Sequence, residues 1–438
     1  MTSNVESEVS SGVDQQLITR KAQPPVHLTQ GESDSSSFFE NCLIPNGWKA
    51  ASVSELGRVV TGGTPRTVVS EFWGGGIPWI TPTDIDPSRH QVYPARTISE
   101  AGLSQVGELP GGSVLVTCIA SIGKNAILRV RGACNQQINA IIPDLNVTTI
   151  DFVYYALEYA VPRLRLMAGT TATPMVSKKS FLTLQILMPI DLSEQAAIAE
   201  VLSDTDLLLE SLDNLITKKR AIKQGAMQQL WSKSRSWAEV EVKRVLIDHF
   251  CGPSPTCEER NIKGDEWGVL RTTCTTWESG WNWRSHKLLP SSYWGQDARM
   301  VRIGDTIITK AGPRHRVGVP SFVDFIPNNI LPSGKMIALR PDPAVIEPYF
   351  LALALREKSS QHFLNERTTG MAESQVNFEN KALLNTPIKI PSLAEQKEIT
   401  TVSRDLDADI DALVALREKT AQIKTGIMQD LLTGKVRL

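Results

Sequence analysis

"SLAEQKEITTVSRDLDADIDALVALREKTAQIKTGIMQDLLTGKVRL", Ser392 to Leu438, is the second appearance of a pattern met earlier in the chain. From Leu192 the sequence reads "LSEQAAIAEVLSDTDLLLESLDNLITKKRAIKQGAMQQLW". Laid without gaps on Leu393 to Leu432, 16 of its 40 positions are identical, among them Glu194/Glu395, Gln195/Gln396, Lys223/Lys424 and Gly225/Gly426. The offset of 201 residues is too long for a stacked repeat unit of roughly 20–50 residues. It indicates duplication of a whole domain together with its helix.

Both stretches read as long helices, over residues 192–236 and 392–438. In the first, Ile198, Val201, Leu202, Thr205, Leu208, Leu209, Leu212, Leu215, Ile216 and Ile222 recur at three- and four-residue steps. In the second, Ile399, Val402, Leu406, Ile410, Leu413, Leu416, Ile423, Ile427 and Leu431 do the same. The economical way to bury both stripes is to pair the helices as a coiled coil. Chain direction favours an antiparallel pair. The alternative is that each helix packs on its own block.

Outward from the helices lie two similar blocks, residues 41–191 and 237–391. The first has short strand-like runs, "GSVLVTCIA", "NAILRV" and "INAIIP", cut by "TGGTP" and "WGGGIP", then a helical "DFVYYALEYAVPRLRLMA". The second repeats it with more divergence. "PGGSVLVTCIASIGKNAIL" resembles "RIGDTIITKAGPRHRVGV", "NQQINAIIPD" resembles "PSGKMIALRPD", and "MAGTTATPMVSKKSF" resembles "RTTGMAESQVNFENKAL". The expected class is α+β, with order block, helix, block, helix. Residues 1–40, rich in Ser, Gln, Glu and Asp, are expected to be disordered or to order only on a partner.

Composition narrows the function. The chain has 438 residues and a net charge of −1, so it is no uniformly basic nucleic-acid binder. Each block is weakly basic, with 12 basic against 10 acidic side chains in the first and 19 against 17 in the second. No apolar run approaches the ~20 residues that span a bilayer. "MTSNVESEVSSG" lacks the features of a secretory signal, and the six cysteines form no CxxC pair. They read as free thiols in a cytoplasmic protein.

Catalytic signatures are missing. "SIGKN" at Ser121–Asn125 lacks the rest of a P-loop, and no GxGxxG fingerprint follows a strand. The six histidines are scattered, without metal-ligand spacing. His315 in "GPRHRVG" reads as a solvated or phosphate-facing loop residue. Asp84 and Asp86 in "TPTDIDPS" read as turn caps. Asp405, Asp407, Asp409 and Asp411 read as a solvated helix flank. Trp277, Trp281, Trp283 and Trp294 read as core, and Trp48 and Trp237 as matched packing residues. No nuclease or methyltransferase pattern occurs, so nothing marks the chain as an enzyme.

Block–helix–block–helix, with "TGGTPRTVVSEFWGGGIPWITPTDI" (Thr61–Ile85), "CIASIGKNAI…CNQQINAI" (Cys118–Ile141), "LSEQAAIAEVL", "SLAEQKEI" and "QDLLTGKVRL", resembles the specificity (S) subunit of type I restriction–modification enzymes. The resemblance covers about residues 45 to 438. It implies that each block is a target-recognition domain reading half of a split site on double-stranded DNA. It implies that the helices space the blocks and dock two methyltransferase (modification) subunits. S-adenosylmethionine, ATP and magnesium would belong to the modification and restriction/translocase subunits, with no cofactor in this chain. The second block departs from the family pattern, having "KAGPRHRVG" and "LPSGK" where the first has "SIGK" and "NQQ".

DNA readers need Arg, Lys, Asn and Gln for base edges, and Ser, Thr and backbone N–H groups for phosphates. The candidates in the first block are Thr64, Arg66, Lys124, Asn125, Asn135, Gln136, Thr171 and Lys178. In the second they are Arg284, Lys287, Lys310, Arg314, Arg316, Lys335, Arg367 and Gln375. The competing reading is a duplicated scaffold or adaptor without a DNA role.

Overall fold

A computed structural model of the chain describes residues 44–86, 92, 94–169, 173–277 and 280–438. The expected disorder of residues 1–40 lies outside the described residues. The chain divides into two units: residues up to Glu210 with Thr420–Leu438, and Ser211–Lys419. Each unit therefore holds one block, part of its following helix and part of the other block's helix.

In the first unit, four antiparallel strands lie in the order Gly57–Thr61, Ile138–Pro143, Ser113–Thr117, Asn125–Leu128. The last three are the strand-like runs expected from the sequence, and Gly57–Thr61 is a strand beyond those expected. The alternation of a strand sends successive side chains to opposite faces. Val114, Val116, Ile127 and Ile141 pack under the helix Ile150–Leu166, against Phe152 and Tyr155. Leu115, Ala126, Leu128 and Ala140 face a second core with Ile80, Ile85 and Leu109. Both faces are covered, which explains why Ser113–Thr117 is buried throughout. Beside this sheet stands a smaller one, ordered Arg96–Ile98, Trp73–Ile80, Ala133–Cys134, with its last pair parallel.

The second unit repeats both sheets. Its larger sheet runs Leu246–Phe250, Met336–Pro341, Thr306–Thr309, Pro320–Phe322. Its smaller sheet runs His286–Leu288, Gly268–Leu270, Ile330–Leu331, again with the last pair parallel. Ile308, Ile337 and Leu339 pack on Phe350 and Leu351, while Ile307, Met336 and Ala338 face Leu270 and Val301. Strand order and pairing sense agree, so the duplication read from the helices extends through blocks of low sequence similarity.

The long helices run Leu192–Ser232 and Leu393–Leu431, about 60 Å each at 1.5 Å per residue. Both are shorter than expected. Lys233–Ser236 is a 3₁₀ turn, and the residues after Leu432 turn back. In the first unit Met428, Leu431 and Leu432 share a core with Ile198, Ala199 and Leu202. Past them, the Arg437 guanidinium reaches Glu194, with Nη2 2.6 Å from Oε2. In the second unit Arg417 meets Asp213 at 3.1 Å, Lys219 meets Asp409 at 2.7 Å, and Lys223 meets Asp407. Numbers rise along one helix as they fall along the other, so the pairing is antiparallel. The helices also pack on the blocks: Ile399, Met227 and Trp231 join the core around Phe350.

Two expectations about the helices need correction. Of the expected solvated flank, Asp405, Asp409 and Asp411 are exposed, but Asp407 is half-buried, and cross-helix lysines engage both Asp407 and Asp409. The whole apolar stripe is not covered either. Leu208, Leu215 and Ile222, and likewise Val402, Leu416 and Ile423, are 39–50 % exposed. A two-helix seam takes about two residues in seven, and these stripes are wider than that. Trp277 and Trp294 are about 40 % exposed rather than core. Trp48 is buried and Trp237 half-buried, as expected for matched packing residues.

Candidate nucleic-acid interface

The duplicated sheet gives each unit one loop-bearing end. In the first unit, strands finish at Thr61 and Thr117 and begin at Asn125 and Ile138. The loops 62–69, 118–124 and 135–137 therefore emerge side by side. Backbone bonds tie them together: Gly63 N–H donates to the Cys134 carbonyl at 2.9 Å, and Cys118 N–H to the Gln137 carbonyl at 2.8 Å. Ala120 N–H donates to the Pro174 carbonyl at 3.0 Å, which brings in the loop before Lys178.

The candidates of this unit fall into two groups. Thr64, Arg66, Gln136 and Lys178 are exposed, and the Thr64 hydroxyl donates to Gln136 Oε1 at 2.6 Å. Lys178 opens a short helix whose N-cap is Ser177. The others are turned inward. Lys124 Nζ donates to the Pro82 and Ile85 carbonyls at 3.1 and 3.3 Å. Asn125 is 4 % exposed, in a strand, with its amide beside the Lys124 carbonyl and the Glu158 N–H. Asn135 is buried, and its carboxamide bonds both the Gln137 N–H and the Gln137 side chain. Asn125 and Asn135, both candidates for DNA contact, are thus buried, with their hydrogen-bonding groups engaged inside the unit. Thr171 lies outside the described residues. Asp84 holds a turn, accepting from the Thr81 N–H and hydroxyl and from Ala95 N–H.

In the second unit the equivalent end carries loops 251–255, 310–319 and 332–335. Lys310 N–H donates to the Lys335 carbonyl at 2.9 Å. Ala311–Gly312 pairs with Gln375–Asn377, and Arg314 N–H bonds the Glu373 carbonyl. Lys310, Arg314, Arg316, Lys335 and Gln375 thus gather at one end, with Arg367 just before the strand Thr369–Ala372. Arg314 pairs with Glu373, Arg367 with Glu366, and Lys287 with Glu259. Lys310 Nζ is held by Asn380 Oδ1 at 3.0 Å and Cys251 Sγ at 3.5 Å. Arg284 is exposed beside the Trp283 ring, and Lys335 is exposed. His315 is exposed, as expected, and receives the Arg316 Nε–H.

Sequence reasoning missed one element of this end. "CGPSPT" (Cys251–Thr256) follows the first sheet strand of its unit, as "TGGTPR" (Thr61–Arg66) does. A Cβ on Gly62 would lie 2.2 Å from the Cys134 carbonyl oxygen, and one on Gly252 1.6 Å from that of Pro332. Only glycine lets either loop lie this close to the next backbone. The shared signal is Gly-x-Thr/Ser-Pro after a strand.

Electrostatically the interior is conservative. Burial pushes the Cys118 thiol up to about 11 and that of Cys134 to about 12. Among the described residues, no cluster of His, Cys, Asp and Glu is placed to hold a metal ion, and no helix is long and apolar enough to cross a membrane.

The arrangement can dock polyanions at two similar loop ends, and comparison with known proteins points the same way. The family described as "Type I restriction modification DNA specificity domain" matches residues 45–220 and 302–424. The type I restriction enzyme MjaVIII specificity subunit of Methanocaldococcus jannaschii is 22 % identical over 431 residues, covering 90 % of this chain and 94 % of that protein. The EcoEI specificity subunit of Escherichia coli is 29 % identical over 198 residues, 45 % of this chain. The aligned stretch spans only 33 % of that relative's length. A crystal structure of the S subunit from M. genitalium superposes with a TM-score of 0.59 at 18 % identity, covering 90 % of this chain and 97 % of the other, which shows a shared fold.

Proposed function

Since the chain belongs to the type I restriction–modification DNA specificity family, we propose that it is the non-catalytic sequence-recognition subunit of such a complex. Each unit reads one half of a bipartite, asymmetric site on double-stranded DNA. One observation carries this reading: two sheets of identical strand order present polar, basic loops at the same end, and those loops differ in sequence. A duplicated frame with diverged loops suits two half-sites of different sequence.

Contacts follow from the exposed side chains. Thr64, Arg66, Gln136 and Lys178 serve the first unit, and Lys335, Arg284 and Gln375 the second, with half-buried Arg316 beside them. Arg and Lys suit guanine edges and phosphates, and Gln suits adenine. Lys310, Arg314 and Arg367 contribute after exchanging their internal partners for phosphate. Asn125 and Asn135 shape the loops from within.

Two methyltransferase subunits dock on the long helices, which offer repeated exposed side chains, Leu215/Leu416 and Ile222/Ile423. S-adenosylmethionine, ATP and magnesium then belong to the modification and restriction subunits, and the complex works in the cytoplasm.

The test uses the full chain with its modification subunits. Methylation mapping in cells is expected to give one bipartite motif. Replacing residues 237–391 by the corresponding block of another family member is expected to change one half of it. A change in both halves, or in neither, would refute the modular reading. Methylation independent of this chain would favour the scaffold alternative.

A further inference from the structure

We propose that Val68 determines specificity by packing against the C5-methyl group of a thymine; this rests on the DNA-reading function above. Val68 is 90 % exposed, the largest value among the exposed large hydrophobic residues described. It stands at the corner of a turn closed by Val69 N–H to the Arg66 carbonyl at 3.2 Å.

The turn is braced on both sides. Trp79 Nε1–H donates to the Gly63 carbonyl at 2.9 Å, and Trp73 Nε1–H to the Arg66 carbonyl at 3.3 Å. Phe72 N–H donates to the Val69 carbonyl at 3.2 Å, and the Thr64 hydroxyl bonds Gln136. The tip is therefore held in place. Turn corners favour Gly, Pro, Asn, Asp and Ser, so the valine goes against local propensity while burying almost nothing. Single exposed apolar residues are common on protein surfaces. This one differs in its braced corner, two residues from exposed Arg66, on a loop at the polar end of the sheet.

The chemistry of the base edge supplies the occupant. In the major groove every base edge offers hydrogen-bonding atoms, and thymine alone adds an apolar methyl group. A β-branched side chain is stiff at χ1, so it loses little freedom on contact. Arg66, bonding a phosphate or guanine nearby, anchors the tip. In the second unit the residue at the corresponding step is Glu258, paired with Arg260, so that position offers no methyl contact.

The experiment uses the full chain bound to its modification subunits and duplexes carrying the methylated motif. Each thymine is replaced in turn by deoxyuridine, which removes only the methyl group. At one thymine of one half-site, replacement is expected to weaken binding about fourfold, equivalent to ~0.8 kcal/mol for one methyl-sized group. With Val68→Ala the same replacement is expected to have no further effect, at an unchanged melting temperature. The inference fails if no thymine responds, or if the response persists undiminished in Val68→Ala. A complex with no preference among duplexes would overturn the DNA-reading function and this inference with it.

Discussion

Lys424 on the second long helix brings its ammonium within 2.9 Å of the Asp206 carboxylate on the first. In the other unit Lys223, the repeat equivalent of Lys424, meets Asp407, the equivalent of Asp206. Each aspartate also accepts a tyrosine hydroxyl, from Tyr155 at 3.0 Å and Tyr349 at 2.9 Å. Burial and Asp407 push the Tyr349 phenol up to about 12, so it stays a donor at neutral pH. The duplication copied lysine and aspartate together, and antiparallel pairing lets each copy's lysine find the other copy's aspartate.

The two pairs differ in burial, and this sets an order of effects. Lys424 and Asp206 side chains are 13 % and 15 % exposed, against 26 % and 38 % for Lys223 and Asp407. Lys424→Met leaves Asp206 and Glu158 without their cation, which is expected to cost about 2–4 kcal/mol, whereas Lys223→Met is expected to cost about 1 kcal/mol. Urea unfolding of the full chain measures both. Equal costs would show that burial does not govern these pairs.

Lys124 and Arg66 are both basic residues of the same loop end, yet they separate by role. Lys124→Ala removes two bonds to buried carbonyls and is expected to lower stability by about 1–3 kcal/mol. Arg66→Ala is expected to leave the melting temperature unchanged and to cost about 1–3 kcal/mol in DNA selectivity at one half-site. Melting curves and binding to motif variants read the two outcomes separately.

Gly62→Ala and Gly252→Ala place a Cβ inside contact distance of a backbone carbonyl. Each is expected to destabilise its own unit by about 1–3 kcal/mol, the range for overpacking a site that cannot give way. Hydrogen exchange is expected to show loss of protection around residues 132–138 for the first variant and 330–336 for the second. Protection lost equally in both units by either variant would contradict the independence of the two loop ends.

Thiol chemistry offers a check on the cores. Burial raises the Cys118 and Cys134 thiols far above neutrality, so at pH 8 almost none is thiolate, the reactive form. Reactivity is lost as pH falls below a raised pKa, so both are expected to resist iodoacetamide until the unit unfolds. Among the cysteines of the described residues, half-buried Cys251 and Cys257 are expected to be labelled first. Mass spectrometry of a time course decides the order.

The duplication, the two helices and three strands of the first block's larger sheet were legible in the sequence, because a 201-residue offset and strand-like runs survive divergence. Partnerships were not. "WGGGIP", which looks like a break, lies inside the strand Trp73–Ile80, because its glycines and proline mask a pairing made with distant strands. The cross-helix lysines of Asp407 and Asp409 could not be read because they lie about 190 residues away. Asn125 and Asn135 look like DNA-contacting residues because residue type does not report burial. The loop of Gly252 escaped notice because only a glycine, a hydroxyl residue and a proline persist from its counterpart. The apolar stripes overstated the seam because the same spacing marks buried and exposed positions on a wide face. Which residues stand at a loop end is a property of sheet order, and that order emerges only from pairing between distant strands.

Arg437 closes the first unit in a way that reaches beyond that unit. Its guanidinium bonds the Asn46 carbonyl at 2.7 Å and clasps Glu194, while Gly434 rests against Pro45 and Trp48. The backbone thus returns, within the first unit, to where the first block starts, and the connection from block to helix to block to helix closes on itself there. A circuit has no privileged starting point. A version joined near residues 46 and 437 and reopened at the turn before Trp237 would encode the same two units in the opposite order, leaving the cores and ion pairs within each unit as they are.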